Sequence, residues 1–280
     1  MNDPLVMDLG RPVVTDGIKG WAIRFVPHGE PGAIILAEFT DPDHRFAVAV
    51  PVSPEDLLVP TPGAAPTDEL RVFCLPEGVA TVERWRPAPP AIEVTVPAGT
   101  ILWRPGQAAL HGPPERVEGL LSVLVEFAFY EGELRRLERE VAADWPMAEA
   151  DVALTHRLGP SAIRRWDHVS EMTRRVTWRR MRYARLQPRL EPPAGAVAGP
   201  AKRVLSELLA RADVERRLQT VDDRLEICED IYERANERIS EYRYFRVEAV
   251  IEIVVAFLLL VEIVIMVWDV WFTHIHGPVV

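Results

Sequence analysis

The sequence predicts an α+β fold that ends in a membrane-spanning helix, and three observations carry that expectation. Short apolar runs rich in β-branched and aromatic residues recur from Gly20 to about Leu110, interrupted by Pro and Gly. Helical periodicity takes over after Pro113 and Pro114. From Ala201 to His276 the chain contains neither Pro nor Gly, and the end of that span is almost wholly apolar.

The runs "WAIRFVPH", "AIILAEF", "FAVAVPV", "LRVFCLP", "VATVERW", "IEVTVP" and "TILWRPG" have the length and composition of strands in a small, mostly antiparallel sheet. The prolines of "PTPGAAPT" and "RPAPPA" mark loops, because proline cannot donate to a strand ladder. Pro113 and Pro114 suit the first turn of a helix, on which Val117, Leu120, Leu121, Leu124, Val125 and Ala128 form one apolar stripe. A third, strongly basic section from about Pro160 to Gln187 reads as helix, with an expected stop at Pro188 and a linker in "PRLEPPAGAVAGP".

The stretch after the linker reads as one very long helix, or two meeting end to end. Its seam alternates at spacings of four and three through Val214, Leu218, Val221, Leu225, Cys228, Tyr232, Ala235, Ile239 and Tyr242, with charged residues on the other faces. Such a seam packs against its own domain, against the basic helix or against a second copy of the chain. The expected segments are an acidic α+β domain at 1–156, the basic helix at 157–189 and a linker at 190–200. A heptad helix at 201–246, a transmembrane helix at 247–270 and a short tail at 271–280 complete the chain.

Charge is unevenly distributed within the net −10. Residues 1–156 hold 24 acids against 12 bases, whereas residues 157–189 hold ten Arg against Asp167 and Glu171. Within that basic island Arg174, Arg175, Arg179, Arg180, Arg182 and Arg185 are interleaved with Trp178 and Tyr183. Guanidinium groups beside aromatic rings suit an RNA or ribosome surface, or anionic lipid headgroups. The same arginines equally suit ion pairs with the acidic parts of the chain. Arg supplies 30 of the 32 basic residues, which reflects coding composition more than physics. Cys74 and Cys228 lie far apart in different kinds of segment and specify neither a disulfide framework nor a metal site. The N-terminus lacks the basic and apolar regions of a secretory signal, so membrane targeting is expected from the C-terminal end.

The window from Ala249 to Trp268 corresponds to about 30 Å of helix, the thickness of a hydrocarbon core. On an insertion scale its apolar residues contribute roughly −5 to −8 kcal/mol and its two acids at most about +5 to +7, so insertion is marginally favourable. Arg234, Arg238, Arg243 and Arg246 precede it and no Lys or Arg follows Trp268, which by the positive-inside rule keeps the body of the chain cytoplasmic. Trp268, Trp271 and Phe272 fall where an interfacial aromatic belt belongs. At 100° per residue Glu248, Glu252, Glu262 and Asp269 lie within an arc of about 100°, opposite a wholly apolar face. A lone helix cannot hide carboxylates from lipid, so this polar face predicts a homo-oligomer or a membrane-protein partner.

Signatures of catalysis are missing. The sequence has no Gly-rich phosphate loop, Cys-x-x-Cys pair, His-Glu-x-x-His or Gly-x-Ser-x-Gly elbow. Of His28, His44, His111, His156, His168, His274 and His276, only the last two are close in sequence, and they read as a solvated tail. Asp41 to Phe46, "DPDHRF", reads as a turn between strands. Neither an enzyme nor a cofactor or metal site is expected.

The segment "RLEICEDIYERANERISEYRYFRVEAVIEIVVAFLLLVEIV" joins a heptad-rich helix to an apolar run enclosed by Glu252 and Glu262, ten residues apart. It resembles the C-terminal end of the sporulation and meiotic-nuclear-division family. The family's leucine-glutamate-tryptophan opening and isoleucine-glutamate-valine close become Ile251-Glu252-Ile253 and Val261-Glu262-Ile263, without the tryptophan. "GTILWRPGQAALHG" is similar to the family's paired strands around a glycine turn, here Trp103-Arg104-Pro105-Gly106. The resemblance covers residues 100–130 and 203–265. It implies a membrane-anchored, oligomeric scaffold whose mitochondrial relatives support translation by tethering ribosomes at the inner membrane, and it supplies no catalytic residue.

Together these readings lead to a non-enzymatic, oligomeric scaffold or adaptor at the cytoplasmic face of a bacterial inner membrane, holding a partner such as a ribosome or RNA. The alternative is a channel-like or transport accessory protein in which Glu252 and Glu262 line a proton or cation path. Metal-ion channels with a comparable outline use two spans and a Gly-Met-Asn signature, and this chain has neither.

Overall fold

The computed structural model describes residues 14–15, 18–29, 34–53, 55, 68–75, 91–97, 99–156, 165–191 and 200–276. It is an α+β fold: a mostly antiparallel sheet followed by helices, the last of them long and apolar at its end. The strands are β1 (Val14–Thr15), β2 (Ile18–Val26), β3 (Ile34–Phe39), β4 (Arg45–Pro51), β5 (Glu69–Leu75), β6 (Ile92–Val96), β7 (Gly99–Arg104) and β8 (Gln107–His111). They are followed by α1 (Pro114–Asp151), a 3-10 turn (Val152–Thr155), α2 (Trp166–Leu190), α3 (Pro200–Arg211) and α4 (Val214–His276). The loops expected at "PTPGAAPT", the strand expected at "VATVERW" and nearly all of "RPAPPA" and of the linker lie outside the described residues.

Sheet order is β3-β4-β2-β5-β8-β7-β6, with β1 paired to β2 off that path. Every pairing is antiparallel except β5 with β8, which is parallel. The chain leaves β5, reaches the far edge at β6, and returns through β7 and β8, so the last strand closes beside β5. The β7–β8 hairpin turns on Pro105 and Gly106, the latter at φ 76. Proline followed by a glycine of positive φ is the arrangement of a type II turn, which a residue with a Cβ would strain.

The chain forms two compact units, Met1–Asp144 with Trp178–Glu226, and Trp145–Thr177 with Ile227–Val280. In the larger unit the period-two alternation of the strands divides their side chains between two clusters. Trp21, Ile23, Phe25, Leu70, Val72, Cys74, Ile101, Trp103, Ala108 and Leu110 share one core with the helices. Ala22, Phe73, Leu75, Leu102 and Ala109 alternate with them and pack together with Ile18 and Val52.

α1 is the centre of that larger core. The stripe read from the sequence is buried at Leu120, Leu121, Leu124, Val125 and Ala128, with Val117 half-buried. Further along, every residue from Phe127 to Leu134 is buried. One side meets the sheet, where Phe129 stacks on Phe39 at 4.0 Å and lies 5.4 Å from Phe25. Tyr183, Leu186 and Leu190 of α2, Val204, Leu208 and Leu209 of α3, and Val214, Leu218, Val221 and Leu225 of α4 complete the cluster. A helix covered on all sides must carry its polar groups into contact with partners, which sets up the charge network described below.

The structure decides three points about helix ends. Pro188 does not stop α2, which runs to Leu190. Its ring removes the amide that would bond the Ala184 carbonyl, and the last turn persists because the Glu191 amide donates to the Gln187 carbonyl at 2.9 Å and Leu190 is anchored in the core. Of the two readings of the proline- and glycine-free span, two helices end to end is the one observed, and the heptad helix begins at Val214 rather than at 201. Asp213, at φ 52, separates α3 from α4. Asp tolerates the left-handed region better than most residues, and Asp213 Oδ2 accepts a 2.5 Å hydrogen bond from Arg216 Nε while its carbonyl accepts from the Arg217 amide. The segment 271–280 is not wholly a tail, because α4 continues to His276.

Two outcomes follow for stability. Gly99 has φ 147, and a Cβ there would collide with the His111 carbonyl oxygen and press Leu120 Cδ1 at 3.1 Å. Gly99→Ala is expected to cost about 2 kcal/mol or more in denaturant unfolding of the detergent-solubilised chain. Burial pushes the Cys74 thiol from 9.0 up to about 12, opposed by the charge of Lys19. The unfolded thiol then loses its proton first, so stability is fully present below pH 9 and falls as pH rises toward 12. The slope is about 1.4 kcal/mol per pH unit, and Cys74→Val should remove this component from a pH series of melts.

Candidate functional site

α4 is helical without a break from Val214 to His276, so its faces can be read at a constant 100° per residue. The four acids proposed for the intramembrane polar face, Glu248, Glu252, Glu262 and Asp269, are all exposed and share that face. Their apolar neighbours are as open: Ile253 is 68% exposed, Leu260 59% and Trp268 63%. An 18-residue apolar window of this helix has mean hydropathy 3.0, and none of it is buried in the fold. The helix is therefore long and apolar enough to cross a membrane, and it differs from a core helix, which would be covered. Trp268 and Trp271 pair at 5.8 Å near its end. The side chains of Phe272, His274 and His276 lie outside the described residues.

The seam of α4 is occupied within the chain. Val214, Leu218, Val221 and Leu225 pack in the core of the larger unit. In the smaller unit Cys228, Tyr232, Ala235 and Ile239 pack on Ala148, Leu154, Val169, Met172 and Val176. Tyr242 is half-buried. The reading of this seam as packing against the chain's own helices accounts for all the buried positions.

The basic helix α2 is largely turned toward acids of the same chain. In the larger unit Arg179 pairs with Asp144, Arg180 with Asp222, and Arg182 with Glu133 and with Glu140 at 3.2 Å. Arg185 donates to the Pro42 carbonyl at 3.0 Å, and Arg189 meets Asp41 at 3.0 Å. Tyr183 is buried, with Arg180 5.5 Å from its ring centroid. Burial presses the Arg182 guanidinium down, but Glu133, Glu140 and Asp43 overcome it and leave its pKa raised. In the smaller unit Arg174 and Arg175 share Glu171, whose carboxyl they hold below its ordinary range. Trp178 remains 61% exposed.

The acids that receive Arg179 and Arg182 are carried mainly by α1. Glu131 and Glu133 are 1% and 3% exposed, and Asp144 is 5% exposed. Glu131 accepts from Arg135 and, at 2.9 Å, from Arg217, which also forks onto both oxygens of Glu138 at 2.7 Å. Burial raises the Glu131 pKa against the lowering effect of Arg135 and Arg217. Arg217 is itself disfavoured by burial, yet its bonds to Glu138 and the charges of Glu131 and Glu138 hold its pKa above the ordinary value.

The smaller unit contains a polar cluster that sequence reading missed. Asp151, 3% exposed, accepts from His168 Nε2 at 2.6 Å and from the Tyr232 hydroxyl at 3.3 Å, with Arg165 at 3.5 Å. Burial, then Asp151, raises the Tyr232 pKa. Separations of 17 and 81 residues left no local signal for this meeting. Asn236 donates to Thr173 at 2.9 Å, and Arg243 sits 5.1 Å from the Trp166 ring centroid, so α2 and α4 are tied together within this unit. No group of His, Cys, Asp and Glu suited to a metal ion occurs among the described residues.

Comparison with protein-family models, with curated proteins and with solved structures gives no match.

Removing one partner of a buried pair leaves the other charge less compensated. Arg182→Met, which leaves Glu133 its pair with Arg136, is expected to cost about 1.5 to 3 kcal/mol in urea unfolding. The exposed Arg174→Met should cost less than about 0.5 kcal/mol. Equal effects of the two substitutions would show that the arginines of α2 do not hold the core.

Proposed function

We propose that the chain is a membrane-anchored, non-enzymatic scaffold that assembles through its C-terminal helix and presents its α+β unit to a cytoplasmic partner. One observation carries the reading. The apolar window of α4 is uncovered, and water is a poor solvent for an uninterrupted helix of exposed Ile, Val, Leu and Phe. Lipid satisfies that face.

Glu252 and Glu262 support the assembly. A carboxylate facing hydrocarbon costs several kcal/mol, and contact with another helix on the acidic face relieves that cost. Arg234, Arg238, Arg243 and Arg246 before the window support a cytoplasmic body. The resemblance of residues 203–265 to the sporulation and meiotic-nuclear-division family supports the same outline, with a ribosome or RNA among the partners it suggests. The arginines of α2 are engaged within the chain, so a partner surface built on this helix in the larger unit would use the exposed Trp178.

The chain should remain in the membrane pellet after alkaline carbonate washing and be released only by detergent. Deletion of 247–280 should free it. Recovery of the full chain as a soluble monomer without detergent would overturn the proposal. In detergent, Glu252→Gln with Glu262→Gln should lower the mass of the assembly measured by light scattering. An intact assembly with altered proton or cation flux would instead favour the channel-like alternative.

A further inference from the structure

Beyond Tyr242 the seam of α4 is no longer filled, and a second row of regularly spaced residues takes its place on another face. Glu248, Glu252, Val255, Leu259, Glu262 and Met266 follow one another at spacings of four, three, four, three and four. Phe245, 67% exposed, stands three residues before Glu248 and extends the row above the apolar window. Every residue of the row is exposed. The alternation is the heptad repeat of a left-handed helix pair, kept here over about 32 Å of helix. At 100° per residue the filled positions Cys228, Tyr232, Ala235 and Ile239 point roughly 160° away from the centre of this row, so the segments that cover them in the smaller unit leave it open.

We propose that this row is the contact between two copies of the chain, which lie parallel and in register, Glu252 against Glu252 and Glu262 against Glu262. From Ala249 to Trp268 the chain has no Ser, Thr, Asn, Gln, His, Lys, Arg or Tyr, so these two glutamates and the Trp268 indole are its only polar side chains. A second copy enters the membrane from the same side, because the same arginines precede its span, and it carries its carboxyls at the same two depths. The two layers lie about 15 Å apart, and a slip of one heptad would set Glu252 against Leu259. In register, each layer brings two carboxyl groups together, and such a pair hydrogen-bonds by holding a proton between its members. Val255, Leu259 and Met266 pack between and beyond the layers, while the polar positions fix the register, as a single polar seam residue does in soluble helix pairs. Resting on the anchored reading of α4, this pairing names a second copy as what the acidic face meets.

The test is oxidative crosslinking of full chains carrying one added cysteine, in isolated membranes, with retention of the chain after carbonate washing measured on the same sample. Cys74 and Cys228 are buried, so the unaltered chain gives the background. Phe245→Cys, Val255→Cys, Leu259→Cys and Met266→Cys should each give at least about tenfold more disulfide-linked dimer than Phe257→Cys or Val264→Cys on the far side, since the bond needs Cβ atoms within about 4.5 Å. All six positions are exposed, so these changes should leave the folded units intact. Dimers at both Phe245→Cys and Met266→Cys are specific to a parallel, in-register pair, because an antiparallel pair holds like ends about 32 Å apart. Adding Glu252→Gln and Glu262→Gln to Met266→Cys should lower its yield, and an unchanged yield would overturn the assignment of the register to the carboxyls. Membrane-retained chain with no dimer, with equal dimer on both faces, or with dimer at Val255→Cys and Leu259→Cys alone overturns the pairing and leaves the anchored reading standing. Release of the chain by the carbonate wash overturns both.

Discussion

Buried carboxylates on α1 are the constraint around which the larger unit is arranged. Glu131, Glu133 and Asp144 sit on a helix enclosed by the sheet and by other helices, where an unpaired charge would be untenable. Each therefore requires a guanidinium in a fixed place. Arg182 and Arg179 of α2 and Arg217 of α4 meet them, and in doing so define how α2 and α4 lie along α1 within that unit. Hydrophobic packing alone would tolerate sliding of one helix past another, whereas a bidentate fork such as Arg217 on Glu138 does not.

This use of arginine changes the meaning of the basic helix. A run of arginines with Trp178 and Tyr183 has the composition of a nucleic-acid surface, yet Tyr183 is buried and Arg179, Arg180, Arg182 and Arg185 meet groups of the same chain. The acidic excess of the first 156 residues is likewise not a solvated surface throughout, since part of it is the internal counterpart of the basic helix.

α4 changes its chemistry along its length without changing its geometry. Its first part places one residue in three or four into the cores of the two units, and its last part offers apolar side chains in all directions but one. Where the seam ends near Tyr242 the burial ends as well, and the helix beyond is long and apolar enough to cross a membrane.

Much of this was legible in the sequence. Strand runs, the stripe on α1, the seam on α4 and the uninterrupted apolar end are periodic or compositional features, and they depend on neighbours a few residues away. That local character explains why they were readable, and also why a helix end misled, since Pro188 lies inside α2, and why the choice between one helix and two waited for Asp213, which breaks a span without Pro or Gly. What the sequence by itself determined is therefore the α+β class, the faces of its elements and the membrane-competent length of α4. Only the tertiary structure decided which acid meets which arginine and which side of the seam is filled. Pairings such as Arg182 with Glu133 or Tyr232 with Asp151 join residues tens of positions apart, and their energy depends on burial that exists only once the chain has folded.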